Sequence, residues 1–206
     1  LGLFIAFEGG EGCGKSTQAR ILWSALGRQG VQAILTREPG GTSLGTEIRR
    51  SLKRVRQTPL SPEAELLLFV ASRAQLIAEV VRPALEEGKI VICDRFSHST
   101  LAYQGYGRGL ALDTIETVNR LATQNLKPDI VVLLDLAPEE GLSRKGNLKD
   151  VFELQALSFH QRVREGYLEA ATREPGRWLV VDARFPKTKI AGIIWERVSQ
   201  LLQRSC

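Results

Sequence analysis

Eight consecutive residues carry the clearest chemical signal in the sequence. Gly9-Gly10-Glu11-Gly12-Cys13-Gly14-Lys15-Ser16 sets a glycine, four residues and then Gly-Lys-Ser between a short apolar run and a segment of helical character. Glycines let successive backbone N–H groups turn inward around phosphate oxygens, and the start of the following helix adds its positive end. In such a loop Lys15 reaches the outer phosphates and the Ser16 hydroxyl ligates magnesium. The stretch from Gly9 to Thr17 is therefore read as the binding site for the phosphates of a nucleoside triphosphate. A glycine-rich turn with a surface lysine is the bland alternative, and the strand before and helix after the motif weigh against it.

A second group of candidates is basic. Arg37-Glu38-Pro39-Gly40-Gly41-Thr42 follows the second apolar run, and Arg49 lies on the next helical stretch. Arg73 comes four residues after Phe69 in a long helical region, so both occupy one face, and Asp94-Arg95 ends a third apolar run. Guanidinium forks from separate elements neutralise two anions and fix their approach. A phosphate monoester is already ionised near neutral pH, so such an acceptor needs no general base. His98 is accordingly read as structural or solvent-exposed rather than lining the site, and His160 as not catalytic. Phe69 is either core packing or a ring on which a base stacks, and periodicity alone does not choose.

Those residues need elements to hold them. Leu3 to Glu8 reads as a strand, Lys15 to about Gln29 as a helix, and Val31 to Thr36 as a second strand. Pro62 to Glu87 shows helical spacing, with Pro83 near its end and Gly88 as its stop. Lys89–Cys93, Ile130–Leu134 and Trp178–Val181 are near-continuous apolar strands that each run into an aspartate. Helical segments at about 111–125, 151–173 and 187–203 separate them. Apolar strands alternating with helices specify a parallel sheet covered on both faces, with ligands beyond the carboxyl ends of its strands.

The 206 residues suit one domain with a real core, residues 1–206, without staples. No apolar run reaches the ~18 residues of a membrane span, and the first strand runs straight into Glu8, so neither a membrane protein nor a signal peptide is expected. A net charge of +5 from scattered basic residues is too mild and too dispersed for a nucleic-acid footprint. Three separated cysteines and two histidines form neither a disulfide framework nor a familiar zinc pattern, and a cytoplasmic location is expected. Asn125-Leu126-Lys127-Pro128-Asp129 has the wrong spacing for a guanine reader, which sets GTPases aside. A small kinase acting on a small acceptor is the class that remains.

The sequence resembles the thymidylate kinases of the bacterial kind over nearly its whole length, from Phe4-Ile5-Ala6-Phe7-Glu8-Gly9 to Val181-Asp182-Ala183. The specific parts are Thr36-Arg37-Glu38-Pro39-Gly40-Gly41-Thr42, Leu67-Leu68-Phe69 with Ala71-Ser72-Arg73, Asp94-Arg95-Phe96 with Ser99-Thr100, and Ala102-Tyr103-Gln104-Gly105. The resemblance implies an α/β, three-layer P-loop NTPase fold around a five-stranded parallel sheet, and a homodimer. It implies transfer of the γ-phosphoryl group of ATP to dTMP, giving dTDP and ADP, with Mg2+. Phe69 would stack on thymine, Arg73 would contact a base carbonyl, and Thr100 and Gln104 would lie near the base or its phosphate. Tyr103 would close over the deoxyribose and Glu11 would take its 3′-hydroxyl. Arg49 and Arg95 would grip the acceptor phosphate, while Asp94 would help place magnesium and its waters.

A lid is expected at about 142–152, where Val151 stands in place of the arginine usual in the family. Arg144 then matches the lid arginine best and joins Lys15 and Arg95 as a catalytic candidate, with Lys145 and Lys149 as weaker substitutes, since lysine lacks the two-pronged contact. Two rival readings stand beside this one. The first is a small kinase for dUMP, UMP/CMP or a nucleoside, and the second is a non-catalytic ATP-binding module.

Overall fold

The structure is a computed structural model that describes residues 2–54, 57–144 and 151–204. Five parallel strands form one sheet in the order β2-β3-β1-β4-β5, where β1 is Phe4–Glu8, β2 Ala33–Arg37, β3 Ile90–Asp94, β4 Ile130–Asp135 and β5 Trp178–Asp182. All five residues of β1 are buried, as a central strand covered on both faces requires.

Side chains alternate along that strand. Ile5 and Phe7 pack with Leu22 and Leu26 of α1 (Lys15–Arg28) and with Ile190 and Ile194 of α9 (Lys187–Arg204). Phe4 and Ala6 face the opposite layer, against Leu76, Ile77 and Val81. By the same alternation Glu8 belongs to that second face, where a carboxylate has no business unless it is held. The register Phe7↔Asp94 and Glu8↔Leu133 brings the ends of β1, β3 and β4 level, so the loops that follow them share one rim.

Between β2 and β3 the chain forms α2 (Ser43–Lys53), capped by Thr42 through Gly45 N–H, and α3 (Pro62–Leu76), capped by Ser61 through Ala64 N–H. The long periodic region is one helical run, as its spacing predicts. It passes through a π turn at Ile77–Val81, five residues of wider winding ahead of Pro83, before ending in α4 (Arg82–Glu86).

The next connection departs from the sequence reading, which left it without an element. Ser97–Thr100 is a short helix, α5, which continues as a π turn over Leu101–Gly107. Gly105, Gly107 and the polar composition hide it locally, yet those glycines let Leu112 and Phe159 approach to where a Cβ would collide. α6 is Leu112–Thr123. After it Gln124 and Asn125 turn with positive φ, and Asp129 accepts a hydrogen bond from Phe4 N at 2.7 Å, a strand-fixing task rather than base reading.

α7 (Pro138–Ser143) was also unanticipated, although Pro138 at its start and Glu139 and Glu140 in its first turn are ordinary helix-opening signals. α8 spans Leu157–Arg173 rather than starting at 151. Val151 to Gln155 instead fold as a turn in which Gln155 Nε2 donates to Val151 O at 2.9 Å, and Phe152 is buried against the Tyr103 ring. Among the described residues no helix is long and apolar enough to cross a membrane.

Candidate active site

The phosphate loop lies where the sequence puts it, between the end of β1 and the first turn of α1. No side chain caps that helix, so its leading N–H groups stay available to a ligand. Gly12, at φ 67°, faces Gly141 of α7, and a Cβ on Gly12 would fall 2.0 Å from Gly141 O. Two glycines are therefore needed for α7 to seat against the loop. Lys15 is buried and folds back so that Nζ donates to Gly10 O at 2.5 Å, with Cys13 Sγ 3.3 Å away.

The loop opens into a cavity of about 380 Å³ that also admits the second group of candidates. Glu11, Gly12, Gly14, Lys15, Ser16 and Thr17 line it from one side. Arg49, Phe69, Thr100, Tyr103 and Gln104 line it from the other, with Asp94, Arg95 and Arg144 also on its wall. Gly9, Gly10 and Cys13 shape the loop from behind. Phe69 meets the Phe152 ring at 5.9 Å, forming an aromatic corner to which the sequence reading assigned only Phe69. Paired aromatic residues 83 positions apart carry no periodic signal, so only the fold reveals them.

Arg95 is the most elaborately held of the basic residues. Its backbone sits at φ 73°, a left-handed conformation that costs a non-glycine residue about 1–3 kcal/mol. Surrounding bonds impose it: Arg95 N donates to Phe7 O at 2.9 Å, and the next amide, Phe96 N, donates to Glu8 Oε1 at 2.8 Å. Its guanidinium donates to Gly9 O at 3.0 Å, Tyr167 OH at 3.2 Å, Tyr103 OH at 3.1 Å and Glu11 Oε1 at 2.8 Å. Burial works against its charge, but Tyr103, Glu11, Tyr167 and Glu8 outweigh it and hold the pKa well above the ordinary arginine value.

Glu8 was not among the candidates, and it is the hub beneath Arg95. Fully buried, it accepts from Phe96 N, from Ser99 N at 3.2 Å, from Ser99 Oγ at 2.6 Å and from Tyr167 OH at 3.0 Å. Burial raises its pKa above the usual carboxylate value, while the Ser99 bond, the Arg95 charge and the remaining donors pull it down.

Arg73 does not line the cavity. It is 1% exposed and lies behind the wall, with Nε 2.7 Å from Glu38 Oε2, Nη1 bonded to Asn119 Oδ1 and Nη2 2.8 Å from Thr100 Oγ1. Glu38 has one oxygen on Arg73 and the other, Oε1, buried without a hydrogen bond, so burial outweighs the Arg73 charge and lifts its pKa to about 7. Of its partners, Glu38 and Thr100 also line the cavity.

His98 is half-buried with its ring edge-on to Trp178 at 4.8 Å, and desolvation lowers its pKa to about 4. It is therefore neutral at physiological pH, and His160 is buried beside Phe159 in α8. Of the lid, Arg144 reaches the cavity wall and donates from Nη1 to Ala183 O at 3.3 Å. Val151 packs against the aromatic cluster of Tyr103 and Phe152, whereas Lys145 and Lys149 lie outside the described residues.

Ser16 Oγ donates to Asp94 Oδ2 at the mouth between the two halves of the cavity. A hydroxyl and a carboxylate meeting beside a phosphate loop are hard oxygen donors suited to Mg2+, which keeps several waters and binds few protein groups. Among the described residues there is no cluster of three histidine, cysteine or acidic side chains that would hold a metal by itself.

A parallel α/β sheet, a phosphate loop and a facing arginine-lined pocket define the class, a P-loop kinase for a small phosphorylated acceptor. The comparisons with known proteins go further. A family model described as thymidylate kinase matches residues 7–193. A thymidylate kinase of Dehalococcoides mccartyi is 52% identical over 203 residues, covering 98% of both chains, and one of Trichlorobacter lovleyi is 50% identical over 95% of this chain and 96% of its own. The crystal structure of thymidylate kinase from Ehrlichia chaffeensis superposes with a TM-score of 0.79 at 35% identity, covering 96% of this chain and 98% of that one. The chain belongs to the thymidylate kinase family.

Proposed function

We propose that the chain transfers the γ-phosphoryl group of ATP to dTMP, forming dTDP and ADP. One observation carries this reading: the phosphate loop and the Arg49–Arg95–Phe69 pocket open into the same cavity, with Ser16 and Asp94 between them. ATP phosphates sit in the loop, where their oxygens draw Lys15 Nζ away from Gly10 O. The dTMP phosphate lies between Arg49 and Arg95, and its base lies against Phe69. Arginine forks from two elements set the angle of the acceptor oxygen, and positioning of this kind supplies most of the catalysis in phosphoryl transfer. Arg144 approaches from the lid side to meet charge on the transferring group.

Glu11 accepts from Tyr103 OH at 2.7 Å and from Arg95, a carboxylate beside a phenol that supports reading this corner as the sugar site. A deoxyribose 3′-hydroxyl donates to Glu11, and the Tyr103 ring leaves little room for a 2′-hydroxyl. Ser16 and, through water, Asp94 would hold Mg2+, which would supply neutralising charge for the phosphate groups. Residues 1–206 act as one domain with its lid near 142–152. A homodimer is supported by the exposed apolar side chains Leu67 on α3 and Leu121 on α6, 60% and 78% exposed on neighbouring helices. A cytoplasmic location fits the substrates.

The test is ADP release with ATP and magnesium against dTMP, dUMP, UMP, CMP, dCMP, AMP, GMP and thymidine. Turnover led by dTMP, weaker with dUMP, is expected. ATP binding without turnover on any acceptor would reinstate the non-catalytic module, and a different preferred acceptor would reinstate the other small kinases.

A further inference from the structure

Ser16, Arg37 and Asp94 line a second opening as well as the active cavity. It is a groove of about 780 Å³ bounded by α1, the end of β2 and α2, against about 380 Å³ for the cavity. We propose that this groove binds an oligophosphate, the diphosphate or triphosphate chain of a small ligand, at a site separate from the phosphate loop.

Three arginines on the groove wall carry the inference. Arg20 belongs to α1, Arg37 closes β2 and Arg50 belongs to α2, so separate elements bring them to the same groove. Helical spacing sets Arg20 one turn beyond Ser16 and Arg50 one turn beyond Thr46, and all four residues line the groove. All three arginines are exposed, and among the described residues none of them has a hydrogen bond or ion pair. The arginines of the active cavity differ in this respect. Arg49 donates to Pro39 O at 3.0 Å, Arg95 pairs with Glu11 and Arg144 donates to Ala183 O. Guanidinium groups gathered without partners repel one another, and an anion from solution relieves that repulsion.

The chemistry of the anion follows from the forks. Each guanidinium can grip two oxygens of a phosphate group, so a monophosphate has oxygens for about two of the three. A linked chain of phosphates has enough for all of them. Ser16 and Asp94 are hydrogen-bonded to each other and belong to both walls, so the groove adjoins the phosphate loop without including Lys15 or the loop glycines. Glu47, one turn before Arg50 on α2, also lines the groove and is exposed. Its carboxylate opposes an incoming anion, so its removal acts in the opposite sense to the loss of an arginine.

The experiment first saturates the protein with dTMP, magnesium and the β,γ-imido analogue of ATP, so that the loop and the acceptor pocket are filled. Pyrophosphate is then titrated by calorimetry, and one further equivalent should bind, more weakly as salt is added. Arg20→Gln and Arg50→Gln, both at exposed helix positions, should each weaken that binding about tenfold. Glu47→Gln should tighten it about threefold. Turnover of dTMP without added pyrophosphate should be the same in all three variants as in the wild type. Tripolyphosphate and CTP separate the sources of the phosphate chain. Equal affinity assigns the groove to the chain alone, and tighter CTP adds a nucleoside to the ligand. Absence of a further equivalent, its appearance only as the imido analogue is displaced, or binding that the three substitutions leave unmoved would each overturn the proposal.

Discussion

Replacing Glu8 with leucine removes a buried charge yet leaves four donors facing an apolar side chain. Two are backbone N–H groups, those of Phe96 and Ser99, and neither can turn away. The others are hydroxyls, Ser99 Oγ and Tyr167 OH, which lie 2.8 Å apart and can satisfy each other. Two stranded amides at about 1–3 kcal/mol each give a loss of about 2–6 kcal/mol. At about 2–4 °C per kcal/mol for a chain of this size, the melting temperature should drop by roughly 5–20 °C. Glu8→Gln is the milder change, because its amide nitrogen can face the rotatable hydroxyls while its oxygen keeps both amides, at a cost under about 2 kcal/mol.

The pH dependence has a definite sign. Glu8 has a folded-state pKa above 4.5, so the folded chain holds that proton longer than the unfolded chain. Its contribution to stability therefore declines as pH rises from 4.5 through the raised folded value, and Glu8→Gln should lack that decline. Melts followed by circular dichroism between about pH 5 and 8 read both effects. A Glu8→Leu protein melting within about 2 °C of wild type would refute the argument that Glu8 holds the Arg95 turn.

Three further predictions follow the same chemistry. Arg95→Lys keeps the charge but loses the fork, so kcat/KM for dTMP should fall by roughly 10- to 100-fold in steady-state assays. Arg144→Ala should lower kcat with little change in dTMP affinity by calorimetry; unchanged turnover would assign the lid cation to another residue. His98, held neutral with a pKa of about 4 against 6.5 unfolded, contributes stability above pH 6.5 that is lost as pH falls toward 4. His98→Phe should flatten that acid limb by up to about 3 kcal/mol in denaturant titrations across the window.

Much of the fold was legible in the residue order because its signals are local. The Gly9–Ser16 motif, the apolar strands and the helical spacing of 62–87 each declare themselves within a dozen residues, and together they specify a parallel sheet with a ligand rim. The helical run from Ser97 to Gly107 was not legible, since its stability comes from Leu112 and Phe159 closing on its glycines rather than from its own propensity. The aspartates ending β4 and β5 illustrate the same boundary. They match Asp94 in sequence position, yet Asp135 is tied by a fork to Arg164 and Asp182 to Arg184, away from the cavity. Sequence by itself determined which residue types could hold phosphates and which strands would carry them, because both depend on short-range pattern. Only the tertiary structure brings Glu8 beneath the Arg95 turn, sets Arg73 behind the cavity wall against Glu38 and Thr100, and pairs Glu65 with Gln104. Those roles belong to buried polar groups whose partners are brought together by strand order and helix packing, and desolvation fixes each of them only once the core has closed.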